Sequence, residues 1–113
     1  MIHEMKLQPK YYDFILYGTK RIEIRLYDEK RQQIHIGDTI KFLREPELEE
    51  FFFAKVTGLF RYHSFNELIK DFDISILSDS SMTKKELIDV LEKFYSKEKQ
   101  EQYGVLGIQI ELF

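Results

Sequence analysis

Cysteine is absent from the chain, which removes disulfide frameworks, thiolate catalysis and cysteine zinc sites together. A reducing compartment fits that composition. Nowhere do apolar residues run long enough to span a bilayer, and Met1 to Lys6 holds no apolar stretch of signal-peptide length. The expectation is a cytoplasmic protein with no membrane partner. The five glycines are dispersed, so there is no glycine-rich phosphate loop. His3, His35 and His63 show no HxH, HxxxH or HExxH spacing, and a metal site would need distant segments to meet. Ser78, Ser80 and Ser81 with Asp79 offer hydroxyls, but no Gly-x-Ser-x-Gly elbow surrounds them, and they read as a loop. Neither a metal nor a cofactor is expected.

What is present suits one small core. A hydrophobic fraction of 43% with ten Phe and seven Tyr excludes intrinsic disorder, and 113 residues are too few for two cores, so residues 1–113 read as a single domain. The net charge of -3 argues against a protein that coats nucleic acid by electrostatics alone. The charge is unevenly spread. Gly18 to Arg44 holds seven basic against four acidic side chains, whereas from Ser64 onward six lysines face ten acids. The basic half is the candidate for an anionic partner.

Pro9 and Gly18 bracket a short helix with Tyr11, Phe14 and Ile15 on one face. Arg21 to Tyr27 alternates strictly, the period of a half-buried strand, with Ile22, Ile24 and Leu26 inward and Glu23 and Arg25 on the other side. A charged loop follows, then a strand at Thr39 to Leu43, an interruption at Pro46, and a long aromatic strand from Phe51 to Tyr62 in which Gly58 suggests a bulge. Ser64 with Glu67, and Thr83 with Glu86, have capping-box spacing and open two helices, the second ending near Tyr95. Asp73 to Met82 reads as a loop, and Tyr103 to Phe113 as a closing strand. About five strands and three short helices favour an α+β fold, a small curled sheet or barrel flanked by helices.

The informative segment is Gly18-Thr19-Lys20-Arg21-Ile22-Glu23-Ile24-Arg25. Lys20 and Arg21 open a strand whose one face carries Glu23 and Arg25, so several charges can converge beside a cleft. A neighbouring guanidinium or partial burial disfavours the charged form of a lysine and makes it a better base or nucleophile. A nearby carboxylate does the reverse, or positions a water. The plain alternative is a solvated strand face with Glu–Arg pairs of little consequence. Tyr27, Tyr62 and Tyr103 stand beside basic residues and are candidates to stack on nucleobases, or are simply core.

With Asp28-Glu29-Lys30-Arg31, Gly37-Asp38-Thr39-Ile40, Tyr62-His63-Ser64-Phe65 and Tyr103-Gly104-Val105, the Gly-x-Lys-x-x-Glu-x-Arg segment resembles the ASCH domain family of the PUA-like superfamily, over nearly the whole chain. The resemblance implies a PUA-like β-barrel with flanking helices and a cleft beside Lys20 that takes RNA or nucleotide ligands. Lys20, Arg21, Glu23 and Arg25 would be its ligand-binding residues. Some members are small amidohydrolases that deacetylate N4-acetylcytidine with a lysine, a Thr or Ser three positions later, and a glutamate just before the later helix. Lys20 matches; Glu23 stands at the Thr/Ser position, and Ser80, next to Asp79, at the glutamate. On that second reading Glu23 would act as base beside Lys20, with Asp79 replacing the acid. The oligomeric state is open.

Overall fold

The computed structural model describes all of residues 1–113. In chain order the elements are β1 (Ile2–Leu7), α1 (Pro9–Leu16), β2 (Ile22–Leu26), β3 (Thr39–Arg44), β4 (Phe51–Tyr62), α2 (Phe65–Lys70), α3 (Ile74–Leu77), α4 (Lys84–Phe94), α5 (Lys97–Tyr103) and β5 (Val105–Leu112), with a single 3-10 turn at Arg31–Gln33. The strands form one sheet in the order β1-β3-β4-β5-β2. β1 runs parallel to β3 and the other pairs are antiparallel. The result is a curled half-barrel with helices against it, the α+β architecture expected, and β1 and β2 are its two open edges.

The elements follow from local chemistry. Pro9 occupies the first turn of α1, where its missing N–H is no loss. Thr83 and Glu86 make the reciprocal capping box of α4. At α2 only half of that device forms: the Ser64 hydroxyl accepts from the Glu67 N–H. The register of β4 against β5 slips between Val56 and Gly58, so the bend falls at the glycine. Gly104 ends α5 at a φ of 74°, a conformation that L side chains adopt rarely.

Two apolar clusters share the sheet. Met5, Leu7, Tyr12, Ile15, Phe42, Val56 and Ile110 fill one, between the sheet and α1. Ile22, Ile24, Leu26, Phe65, Leu68, Leu77 and Leu87 fill the other, beneath α2, α3 and α4. β5 is therefore buried on both faces along Val105-Leu106-Gly107-Ile108, and α2 lies so close that a Cβ at Gly107 would meet Leu68 and Ile22 at 3.2 Å.

Three elements depart from the sequence reading. The first residues form β1, whose buried face is His3, Met5 and Leu7; a histidine in that row blurs the apolar alternation. Within the expected loop at 73–82, Asp73 caps the four-residue α3, too short for any periodicity to show. α5 is polar throughout and is held by its Ser96 cap and the buried Gln100.

β1 is fastened at its start by Asp38, in the turn before β3. The Asp38 carboxylate meets His3 Nε2 at 2.8 Å and accepts the His35 N–H at 3.0 Å. Those two contacts hold its pKa at about 2, below the ordinary carboxylate value. A folded-state pKa below the unfolded value of about 3.9 stabilises the protein above pH 4, and that stabilisation disappears as pH falls toward 2. Denaturant titrations of wild type and Asp38→Asn at pH 7 and pH 2.5 should show a smaller acid loss in the variant. Equal losses would contradict this assignment.

Candidate functional site

Between the open edges β1 and β2 lies a cleft of about 180 Å³, walled on its third side by α4. Lys20, Glu23 and Arg25 line it together, with Lys6 and Glu45 at the ends of β1 and β3, Tyr11 from α1, and Leu91 and Tyr95 from α4. The alternation in β2 does not mark a solvated polar face. Glu23 is only 6% exposed, because β1 and α4 cover the side that the charged residues occupy.

Lys20 is placed by what precedes and follows it. α3 cannot satisfy its own last carbonyls, and the turn after α1 supplies the donors. The Thr19 hydroxyl donates to Ser75 O, the Arg21 N–H to Ile76 O, and Lys20 Nζ to Leu77 O at 2.6 Å. Lys20 Nζ also donates to Ile22 O at 2.7 Å and lies 3.4 Å from Glu23 Oε1. In an antiparallel ladder alternate residues turn their backbone groups to the partner strand. Ile110 N bonds Arg21 O and Tyr27 N bonds Gly104 O, so the even-numbered residues of β2 face the open edge. Lys20 therefore caps one edge carbonyl of β2. An ammonium has three hydrogens; two go to these carbonyls, and the group pairs electrostatically with the Glu23 carboxylate beside it.

The Glu23 carboxylate joins the two cations. Its Oε2 accepts from Arg25 Nε at 2.7 Å, and Arg25 Nη2 donates to Lys6 O at 2.8 Å, tying β2 to β1 across the seam. Arg25 thus uses two of its five N–H groups in these contacts. Its side chain retains 13% exposure, the most of the three. Arg21 is directed elsewhere. Its Nη1 donates to Ile15 O and Lys20 O, behind the cleft.

Burial lowers the Lys20 pKa more than the adjacent Glu23 charge raises it. Burial would raise that of Glu23, but Arg25 and then Lys20 outweigh it and hold the carboxylate ionised. Burial likewise opposes the charge of Arg25, yet Glu23 and Tyr95 keep it above its ordinary value. Burial and the Glu23 charge raise the Tyr11 hydroxyl, which stays a neutral donor. The site is a net cationic triad in which Glu23 is the anionic centre.

Asp79 and Ser80 do not reach the cleft. Asp79 accepts the Ser81 N–H at 2.7 Å in a local turn. No group of three His, Asp or Glu side chains is arranged to hold a metal ion, and no helix is long and apolar enough to cross a membrane. The sequence singled out Lys20, Glu23 and Arg25 but missed Lys6, Tyr11, Glu45 and Tyr95. Only the topology brings those four to the triad; Tyr95 alone carried a signal, as the residue that closes α4.

Residues 5–113 match the ASCH domain family. The fold is similar to the crystal structure of hypothetical protein PH0355, with a TM-score of 0.88 and 38% identity over 100% of both chains. It is also similar to the solution NMR structure of protein PF0455 from Pyrococcus furiosus, with a TM-score of 0.79 and 35% identity over 100% of this chain and 98% of that one. A serine-to-alanine mutant of ZmASCH from Zymomonas mobilis shares the fold alone, with a TM-score of 0.62 and 13% identity over 97% and 67% of the two chains. No curated protein matches the chain.

Removing the Lys20 ammonium leaves two carbonyls and a carboxylate buried without their donor. Breaking one partner out of a buried charge network costs about 3–5 kcal/mol, so Lys20→Met should lose that much in urea denaturation. Lys20→Met/Glu23→Leu should recover part of it. A Lys20→Met protein within about 1 kcal/mol of wild type would show that the network is not a unit.

Proposed function

This chain belongs to the ASCH domain family, and from that premise we propose that its cleft binds RNA or a nucleotide-like ligand by taking in one unpaired base. The observation that carries this reading is the Arg25 guanidinium, fixed by Glu23 and Lys6 O yet retaining donors for a ligand. Single-stranded RNA is recognised by splaying out a base, stacking it, and hydrogen-bonding its edges. Leu91, Tyr11 and Tyr95 supply apolar and aromatic wall, Arg25 donates to base acceptors, and Glu23 accepts from a base amino group. The volume of about 180 Å³ is below the roughly 300–1,000 Å³ of drug-sized ligand pockets, so it suits one ring system rather than a whole enclosed nucleotide. Lys20 acts as a positioning residue. Arg21 acts through the backbone that carries Lys20.

One observation favours the second reading, hydrolysis of a modified nucleoside such as N4-acetylcytidine: burial eases loss of the Lys20 proton. The geometry gives it less support. A neutral Lys20 would have two hydrogens for three acceptors, so its lone pair would face one of them rather than a substrate. With Asp79 outside the cleft, Glu23 would have to serve as the base, and Glu45 at the end of β3 is the other carboxyl group in the lining.

Binding of short single-stranded RNA and of nucleosides, followed by calorimetry at low ionic strength, tests both readings. A charge-assisted hydrogen bond contributes about 1.5–3 kcal/mol, so Arg25→Ala should weaken binding about 10- to 100-fold. The plot of log affinity against log salt should have a slope of only about -0.7 to -1.4, one or two phosphates. Absence of binding, or an Arg25→Ala protein that binds as wild type does, removes the proposal. Steady turnover of N4-acetylcytidine that Lys20→Ala abolishes would replace it with the hydrolase.

A further inference from the structure

Tyr27, Tyr62 and Tyr103, the three tyrosines set apart in the sequence, line one groove of about 640 Å³ that shares no lining residue with the cleft. At its wall the exposed Arg61 guanidinium lies over the Tyr27 ring, 4.0 Å from guanidinium carbon to ring centroid. An arginine held against one aromatic face offers its second planar face to solvent, and base stacking on such planes is a standard mode of single-strand recognition. The platform is built into the fold. Arg61 and Tyr62 pair with Leu106 and Val105 of β5, the Tyr62 hydroxyl donates to Asp71 at 2.7 Å, and Gly104 turns the chain so that Tyr103 precedes β5.

The groove and the cleft are joined by two elements. Tyr27 follows the end of β2, two residues and about 7 Å of extended chain beyond Arg25, and its N–H continues the ladder by donating to Gly104 O at 3.0 Å. Buried Gln100, which lines the groove, reaches the backbone oxygen of Tyr95, which lines the cleft. Glu67 and Glu101 also line the groove. Their charge disfavours a run of phosphates and leaves the stacking plane as the attractive feature.

We propose that this groove is a second nucleotide subsite, which stacks the base next to the one held in the cleft on the Arg61 guanidinium over Tyr27. This rests on the cleft reading above. Single-stranded RNA of one, two, three and four nucleotides, titrated by calorimetry, separates the two. Stacking one more base should raise the affinity of the wild type about tenfold between one and three nucleotides. Arg61→Ala, a surface change, should abolish that gain and leave the mononucleotide affinity unchanged, whereas Arg25→Ala should weaken every length. Arg61→Lys keeps the charge without the plane and should behave as Arg61→Ala. A full length-dependent gain in Arg61→Ala or Arg61→Lys overturns the subsite. A wild type that binds the mononucleotide without any gain overturns the subsite alone, and one that binds no length overturns the cleft reading with it.

Discussion

The Lys20 ammonium is received by three oxygens from three parts of the fold: Leu77 O at the end of α3, Ile22 O on the open edge of β2, and the Glu23 carboxylate in the cleft. A buried cation missing one of these would carry a desolvation cost that nothing offsets. The dependence runs in both directions. α3 is a single turn that pairs only its first carbonyl, Ile74 O with the Ser78 N–H, and residues 19 to 21 supply donors to the other three. The turn after α1, the short α3 and the start of β2 are thereby one unit, and the carboxylate that organises the cleft takes its position from it.

A curled sheet that stops short of closure has two edges whose unpaired backbone groups must be managed. Here the edges are bridged by a side chain instead of a strand ladder: Arg25, oriented by Glu23, reaches Lys6 O. Full closure would have satisfied more backbone groups but left no gap, so the cleft exists because the bridge is a single residue wide. Stability alone does not call for ions at this place. Apolar residues of similar volume often replace a buried ion cluster at no cost. What the charges add is a guanidinium and a carboxylate of fixed orientation in a medium where each hydrogen bond to a ligand is stronger than in water.

Much of this was legible in the sequence wherever one short-range rule dominated. The alternation of β2, the Thr83–Glu86 cap of α4 and the bend at Gly58 are all local, and all stand where they were expected. The charged motif likewise named the triad. β1 was hidden because its inner row includes His3, whose burial depends on Asp38 thirty-five residues away. α5 was hidden because it buries Gln100 rather than an apolar stripe. The burial of Glu23 was illegible for a related reason. Alternation shows that a strand has two kinds of face, but only the topology decides that the polar one is covered too.

The overall charge and the cleft then fit together. A protein with a net charge of -3 gains little from long-range attraction to a polyanion, and a cleft with a single enclosed anion between two cations cannot follow a phosphate backbone. Selectivity has to come from the short range. When a ligand displaces water from the remaining donors of Arg25 and lone pairs of Glu23 without replacing its hydrogen bonds, those atoms are left unsatisfied, and that loss exceeds what a matched ligand gains per bond. On the proposed reading, the site would work chiefly by rejecting rings that lack an acceptor for Arg25 or a donor for Glu23. Its rigidity, set by the contacts that already join Lys20, Glu23, Arg25 and Lys6 O, keeps the remaining donors of Arg25 from finding substitute partners.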